Sequence, residues 1–250
     1  MPTFHHGAVE IAFLDEGDGE PIILIHGFAS NKETNWVNPG WVSTLTRAGR
    51  RVIALDNRGH GKSSKLYDPA DYHTSIMASD VVALMDHLKL QRADVMGYSM
   101  GARITAYLAH DHASRVRSAI LGGFGFNVVE GTGLPETIAD ALEANDISKV
   151  TDNRGRQFRS FAEQTKSDLR ALAACIRGSR QKLTREQAAA IRVPVLVAVG
   201  TKDDIAGSPE KLAAVIPGAK ALPIPERDHM LAVGDRVYKT GVLNFLAERP

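Results

Sequence analysis

The sequence predicts an α/β fold in which a mostly parallel, twisted sheet is covered by helices on both faces. Strand-like and helix-like segments alternate along the 250 residues, as in folds whose strands are joined by helical crossovers. The strand-like run at 21–25 is apolar throughout, which is typical of a strand buried on both faces. A chain of this length buries roughly 70–75% of its extended surface on folding, enough for a sizeable core.

The predicted strands are short apolar runs, and the predicted helices carry apolar residues at helical spacing. Strands are expected at 9–14, 21–25, 51–55, 93–96, 116–121 and 193–199, with a further short run at 220–224. Helices are expected at 41–48, 76–88, 103–110, 209–216 and 237–246. The start at Ser208 and Pro209 is clear, because serine caps a helix and proline favours its first position.

One long stretch interrupts this alternation. Residues 126–192 contain no convincing strand and only helical segments such as 134–143 and 167–176. We therefore expect a core formed by 1–125 and 193–250, with 126–192 inserted as a helical segment. The insertion carries a basic run that includes Arg154, Arg156 and Arg159. A solvated helix face is the first interpretation of these arginines, and contact with an anionic substrate is the alternative.

Composition restricts the classes of partner. The formal net charge is +1, which favours neither a nucleic acid nor a membrane surface as partner. Cys175 is the one cysteine, so an intrachain disulfide is impossible and we expect this residue to be a small buried hydrophobe. The N-terminus lacks a basic segment followed by an apolar one, and no run reaches the ~18–20 apolar residues of a bilayer span. We therefore expect a cytoplasmic protein.

The most informative motif is Gly97-Tyr98-Ser99-Met100-Gly101. It follows a predicted strand and precedes a predicted helix, and strand, G-x-S-x-G and helix together indicate a nucleophile elbow. Glycines on both sides let strand and helix approach closely around a strained serine. The motif makes Ser99 a candidate nucleophile.

A nucleophilic serine needs a base and a group that orients the base. In open α/β sheets such groups lie beyond the carboxyl ends of the strands. Asp203 and Asp204 follow the strand-like run at 195–199, and His229 follows the run at 220–224. The chain order Ser, Asp, His matches this type of elbow. We take Asp203 as the acid, with Asp204 as the alternative. The non-catalytic interpretation is that Asp203 caps a helix or stabilises a turn and that His229 is a surface residue.

A third element would be an oxyanion hole at the end of strand 21–25. Gly27 allows the backbone to turn there and to present amide hydrogens to a ligand. The expected donors are the backbone N–H groups of Phe28 and Met100. His26 could be mistaken for a second base, but we expect it to fix this loop.

With these residues in view, the chain resembles the α/β-hydrolase superfamily over nearly its whole length, and within it the small-cap esterases and enol-lactonases. The matching segments are His26-Gly27-Phe28, Asp56 to Ser63, Gly97 to Gly101, Gly200 to Asp203 and Asp228-His229. The resemblance implies structural roles for Asp56, Arg58 and Ser63 and identifies the helical insertion as a cap over the pocket. Asp228 stands where many relatives have glycine.

Two departures narrow the chemistry that the resemblance implies. Relatives that displace halide or open epoxides carry aspartate at the centre of the elbow, where this chain has Ser99. Carbon–carbon bond hydrolases often carry a Ser-Gly-Pro-Gly-like stretch after His-Gly, where this chain has Phe28-Ala29-Ser30-Asn31.

The predicted function is therefore hydrolysis of a small carboxylic ester or lactone through an acyl-enzyme, with Ser99, His229 and Asp203 as the triad. No metal or organic cofactor is expected. Phe28, Met100, Phe124 and Phe126 are expected to wall the pocket, which implies a partly apolar small-molecule substrate. The alternatives are a carbon–carbon bond hydrolase or a cofactor-free perhydrolase with the same triad, and a non-catalytic binding module on the same scaffold.

Overall fold

Eight strands form one sheet in the computed structural model, which describes residues 1–131 and 134–249. The strands are β1 (Thr3–His6), β2 (Val9–Glu16), β3 (Glu20–Ile25), β4 (Arg50–Leu55), β5 (Ala93–Tyr98), β6 (Val116–Gly122), β7 (Val195–Gly200) and β8 (Lys220–Ile224). Their order across the sheet is β1-β2-β4-β3-β5-β6-β7-β8. From β4 to β8 neighbouring strands are parallel, whereas β1 and β2 form an antiparallel edge. The predicted fold class is confirmed.

Ten α-helices accompany the sheet in the described residues. They are α1 (Trp41–Arg47), α2 (Thr74–His87), α3 (Met100–Asp111), α4 (Asn127–Glu130), α5 (Thr137–Glu143), α6 (Asn153–Gln164), α7 (Leu169–Gly178), α8 (Arg185–Ala190), α9 (Pro209–Ala213) and α10 (Arg236–Glu248). None of these helices has the length and hydropathy needed to cross a bilayer.

Side chains alternate between the two faces of the sheet, so each face has its own core. Ile23 and Ile53 point to the cluster that contains residues of α2 and α3. Ile22 and Val52, each one position earlier, point to the other cluster, where Trp41 and other residues of α1 and α10 pack. This period of two is the geometry of a strand, and it explains why the central strands are apolar at every position.

Four elements were not predicted from the sequence: β1, α4, α6 and α8. β1 has four residues of which only Phe4 is buried, so it has almost no apolar pattern. α6 buries Gly155, Phe158 and Ala162, a helical spacing hidden among charged residues. α8 begins with a capping box between Thr184 and Gln187, a local signal that the sequence does contain.

Between β6 and β7 the described residues form only helices, α4 to α8, which we call the inserted helices. Here α5 packs against α6 and α7. The side chain of Asp152 accepts hydrogen bonds from the N–H groups of Arg154 and Gly155 and so caps α6.

A buried ion pair joins the loops that follow β3 and β4. The Asp56 carboxylate accepts hydrogen bonds from the Lys32 N–H (2.8 Å), the Lys32 Nζ (2.7 Å) and the Lys62 N–H (2.9 Å). Lys32 is fully buried. Arg58 makes two hydrogen bonds of 2.7 Å to Asp80, and the Ser63 hydroxyl donates to the Asp56 carbonyl. Asp56, Arg58 and Ser63 thus form hydrogen bonds with other parts of the fold.

The buried pair yields a stability prediction. Replacing Asp56 with alanine removes the buried counter-charge of Lys32 and leaves its ammonium with only the partly exposed Glu33 carboxylate at 3.1 Å. We therefore expect Asp56→Ala to lower the free energy of unfolding by about 3 kcal/mol. Urea denaturation measures this change. Asp15→Ala is the matched control, because Asp15 pairs with Arg51 at the surface, and such a pair contributes only about 0–1 kcal/mol. Equal effects of the two substitutions would contradict the prediction.

Candidate active site

Ser99 lies on a strained turn between β5 and α3. Its φ is +55° and its ψ is −112°. For a residue other than glycine this backbone conformation has a free-energy cost of order 1–3 kcal/mol. The Ser99 N–H donates to the Gly122 carbonyl of β6 (2.8 Å). A Cβ on Gly97 would lie 2.1 Å from the Gly101 oxygen, and one on Gly101 would lie 2.0 Å from the Ile25 oxygen. Both glycines are therefore required sterically, as expected for an elbow.

The structure brings together the three side chains that the sequence predicts. His229 Nε2 lies 3.0 Å from the Ser99 hydroxyl, and His229 Nδ1 lies 2.7 Å from Asp203 Oδ2. The other oxygen of Asp203 accepts hydrogen bonds from the N–H groups of Ile205 and Ala206 (2.9 Å each). The elements that carry these residues follow β5, β7 and β8, so the carboxyl ends of the strands position the cluster.

Asp203 and Asp204 have different surroundings. The Asp203 side chain is fully buried, whereas that of Asp204 is 73% exposed and pairs with Arg154 of α6 at 2.6 Å. Burial by itself would raise the pKa of Asp203, but hydrogen bonds and charge from His229 and the two backbone N–H groups lower it below its usual range. Asp203 is therefore an ionised acceptor for the imidazole.

Two contacts hold the loop that carries His229. The Tyr98 hydroxyl, one residue before the elbow serine, donates to the His229 carbonyl (2.6 Å). The Asp228 carboxylate accepts from the N–H groups of Met230 (3.0 Å) and Leu231 (2.8 Å). Asp228 therefore stabilises the turn after the histidine.

The loop after β3 presents backbone N–H groups near Ser99. The Gly27 N–H donates to the Asn35 side chain (3.0 Å), and the Ser30 N–H donates to the Gly27 carbonyl (3.3 Å). By contrast, the N–H groups of Phe28 and Met100 have no acceptor among the described residues, and both residues share a cavity with Ser99. These two donors are available to a ligand.

His26 is fixed inside the fold. Its Nδ1 is 2.7 Å from the Gly27 carbonyl, and its Nε2 accepts from the Asn57 N–H at 3.0 Å. Burial lowers the pKa of His26, and burial together with His26 lowers the pKa of the neighbouring His60 to about 3. Both rings are neutral, and both nitrogens of His26 are occupied.

Two cavities meet at Ser99, and a third lies beside His229. The first has a volume of about 70 Å³ and is lined by residues that include Phe28, Met100 and Phe124. The second, of about 320 Å³, includes Phe158 and Phe161 of α6 together with Leu231. The third, of about 130 Å³, lies between α6 and the His229 loop.

Phe126 is a correction to the predicted pocket wall, because it lines none of these three cavities. Its N–H donates to the Ser208 carbonyl, and its half-buried ring packs against the core. Phe124, two residues earlier, does line the first cavity.

The basic residues of the pocket also differ from those that the sequence singled out. Arg154 pairs with Asp204, Arg156 contacts the Val150 carbonyl, and Arg159 binds three backbone carbonyls and Glu163. None of these arginines lines the three cavities. Three other cations line the first cavity: Arg103, Arg180 and Lys182.

Sequence reasoning missed Arg103, although a signal was present. Residues four positions apart lie on the same face of a helix, and Arg103 is four residues after Ser99. In α3 it stands among apolar residues, with Ile104, Ala106 and Leu108 buried.

In residues 1–131 and 134–249, no group of three or more His, Cys, Asp or Glu side chains is placed to hold a metal ion.

The chain is similar in sequence to known proteins over much of its length. Residues 20–154, just over half of the chain, match the family model described as the alpha/beta hydrolase fold. The AB hydrolase superfamily protein YisY of Bacillus subtilis is 32% identical over 77% of this chain and 77% of its own length. Non-heme chloroperoxidase CPO-A1 of Kitasatospora aureofaciens is 31% identical over 62% of this chain, and the match spans about half (55%) of that protein.

Among solved structures, the enol-lactonase of Burkholderia xenovorans LB400 superposes with a TM-score of 0.79. The alignment covers 99% of this chain and 100% of the enol-lactonase at 24% identity. At this level of identity the likeness concerns the fold.

Cys175 gives a prediction that needs no substrate. The thiol is buried in α7, 3.7 Å from the Met100 sulfur, and burial raises its pKa to about 12. Because only the thiolate reacts readily, we expect iodoacetamide at pH 8 to leave the native protein unmodified. The same reagent in urea should add one carbamidomethyl group, as measured by intact mass. Rapid modification of the native protein would show that the thiol is accessible.

Proposed function

Because the chain belongs to the α/β-hydrolase family, we propose that it is a serine hydrolase that cleaves a small carboxylic ester or lactone through an acyl-enzyme. The observation that carries this proposal is the hydrogen-bonded chain from Ser99 through His229 to Asp203, with distances of 3.0 and 2.7 Å. A strained serine, a base in contact with it and a buried carboxylate behind the base are the parts of nucleophilic acyl transfer.

In the first half of the reaction His229 Nε2 accepts the Ser99 proton while the serine oxygen attacks the carbonyl carbon. Asp203 holds the imidazole through Nδ1 and stabilises its cationic form. Its two further hydrogen bonds, from Ile205 and Ala206, keep the carboxylate ionised and oriented. The carbon–oxygen bond to the alcohol then breaks, and His229 returns the proton to the departing oxygen.

The oxyanion is assigned to the free N–H groups of Phe28 and Met100. Negative charge develops on the carbonyl oxygen only as the tetrahedral intermediate forms, so donors fixed in advance stabilise the transition state more than the substrate. The Gly27–Asn35 hydrogen bond and the Lys32–Asp56 pair hold the loop that carries Phe28. Water activated by His229 then releases the acid and restores Ser99.

The two cavities at Ser99 correspond to the two halves of an ester. The departing oxygen receives its proton from His229, and His229 lines the 320 Å³ cavity but not the 70 Å³ one. We therefore assign the alcohol portion to the larger cavity and the acyl portion to the smaller one. In a lactone the two portions are joined and the ring spans both.

The inserted helices are assigned the role of a cap. Phe158 and Phe161 of α6 line the larger cavity, and Ile176 of α7 lines the smaller one. Apolar side chains from the insertion thus face the alcohol site, which supports a partly apolar substrate.

A perhydrolase reaction is the second candidate, supported by the similarity to a non-heme chloroperoxidase. Hydrogen peroxide would then replace water as the second nucleophile on the same acyl-enzyme and release a peracid. Both reactions require Ser99, so a substitution of Ser99 cannot separate them. Peracid formation from acetate and peroxide is therefore compared with hydrolysis of a neutral ester.

The first test concerns the nucleophile. Wild-type protein should be labelled covalently by a fluorophosphonate probe, and Ser99→Ala should not be labelled. The substitution should also reduce kcat for a responsive ester by about 10⁵–10⁶-fold. Circular dichroism and heat-denatured wild type serve as controls for folding and for nonspecific labelling. Absence of labelling in folded wild-type protein would instead favour a non-catalytic binding module.

The second test separates the two adjacent aspartates. Asp203→Asn removes the charge that stabilises the imidazolium, so kcat should fall by about 10⁴-fold. Asp204→Asn is the matched control and should change kcat by no more than about threefold, because an exposed ion pair contributes little. A loss confined to Asp204→Asn would refute the assignment of the acid.

A further inference from the structure

Arg103 is a partly buried cation with no counter-charge beside the elbow serine. No described carboxylate forms an ion pair with it, in contrast to Arg58, Arg154, Arg159 and Arg177. Of the five N–H donors of a guanidinium, one is used, since Nη1 donates to the Ser179 carbonyl (3.0 Å). Burial lowers the pKa of Arg103 to about 10, so the group remains charged at neutral pH. Removing a charge even partly from water costs free energy unless a counter-charge lies beside it.

The remaining donors open onto the 70 Å³ cavity, which Arg103 lines together with Ser99. The nitrogens of Arg103 that lack a protein acceptor are therefore not sealed inside the protein. By contrast, Arg117 and Arg249 each have one buried nitrogen without a hydrogen-bond partner. Arg103 lies one helical turn after Ser99, because its N–H bonds to the Ser99 carbonyl at 3.1 Å, and residues at this spacing share a helix face. The guanidinium thus faces the space next to the nucleophile.

The charge around this cavity has one sign. Arg180 and Lys182 are exposed residues that also line it, and no Asp or Glu of the described chain does so. Arg180 has only an exposed partner, Glu136 at 3.0 Å. Among the described residues, no Lys, Arg, Asp or Glu lines the larger cavity on the other side of Ser99. A local cluster of cations attracts anions even when the protein has little net charge.

We infer that the substrate carries a carboxylate on its acyl side, and that Arg103 binds this carboxylate with Arg180 and Lys182 at the mouth of the cavity. The substrate class is a half-ester of a short dicarboxylic acid. This inference rests on the proposed function, which assigns the acyl portion to the smaller cavity. Hydrolysis of the half-ester breaks the carbonyl–alkoxy bond with water and yields the dicarboxylate and the alcohol, so the bound carboxylate itself is unchanged.

The kinetic test compares two esters of the same shape. Monobenzyl glutarate carries the carboxylate, and its primary amide is the neutral analogue; release of benzyl alcohol is measured by chromatography. We expect wild type to have a kcat/KM at least about tenfold higher for the anion, and Arg103→Met to lower it by about 10–100-fold for the anion alone, since charge-assisted hydrogen bonds are lost. Arg103→Lys should restore part of the preference, because it keeps the charge but not the fork.

The matched control is Arg177→Met, which removes an arginine of α7 that pairs with Glu143 and lines none of the three cavities. It should leave the preference for the anionic ester unchanged. Circular dichroism and thermal denaturation report whether each variant folds, and only folded variants are compared. If Arg103→Met slows both esters equally, or if wild type prefers the neutral one, the inference is wrong, and Arg103 only ties α3 to the Ser179 carbonyl.

A binding measurement separates this inference from the proposed function. Glutarate titrated calorimetrically into Ser99→Ala protein should bind, bind more weakly as salt rises, and bind at least about tenfold more weakly when Arg103→Met is added. Absence of binding would overturn the inference even if both esters are hydrolysed. Binding that depends on Arg103, with no hydrolysis of either ester and no probe labelling, would uphold the anion site and reject the hydrolase.

Discussion

Close packing of the backbone around Ser99 is the constraint on which the rest of the site depends. The turn exists only because Gly97 and Gly101 have no side chains, so α3 can approach β3 to a distance at which any Cβ would overlap a carbonyl. This approach fixes the serine oxygen above the sheet and leaves the first N–H of α3 free. It also sets the direction of α3, so that Arg103, one turn further on, faces the same space. A local steric requirement thus orients the Ser99 hydroxyl, a free backbone N–H and a cation together.

Polar groups around this turn are held by partners that lie far away in the chain. Lys32 and Asp56 tie the loops after β3 and β4, Tyr98 holds the backbone of the His229 loop, and Asp203 contacts the His229 imidazole. Each such group is satisfied inside the fold, since an unpaired buried polar group would be costly. The same rule makes Arg103 conspicuous, because its charge has no partner within the described chain.

The surroundings of Ser99 are unequal on its two sides. Aromatic side chains of α6 enclose the larger cavity, whereas cations from α3 and from the chain after α7 border the smaller one. Both sides receive residues from the inserted helices, Ile176 at the smaller cavity and Phe158 and Phe161 at the larger one. The arginines of α6 take no part in this asymmetry because they neutralise acids and bind carbonyls outside the cavities.

By itself, the sequence determined the features that depend on local pattern: the buried strands, the elbow with its two glycines, and the positions of Ser99, Asp203 and His229 after the strands that became β5, β7 and β8. These follow from short-range sterics and from the period of two in a strand. The short edge strand β1 and the charged helix α6 escaped because so few of their residues are buried. Only the tertiary structure distinguished Asp203 from Asp204 and put Phe124 rather than Phe126 at a cavity wall. Those outcomes depend on which distant segment covers a side chain, and burial by distant segments leaves no local pattern in a sequence.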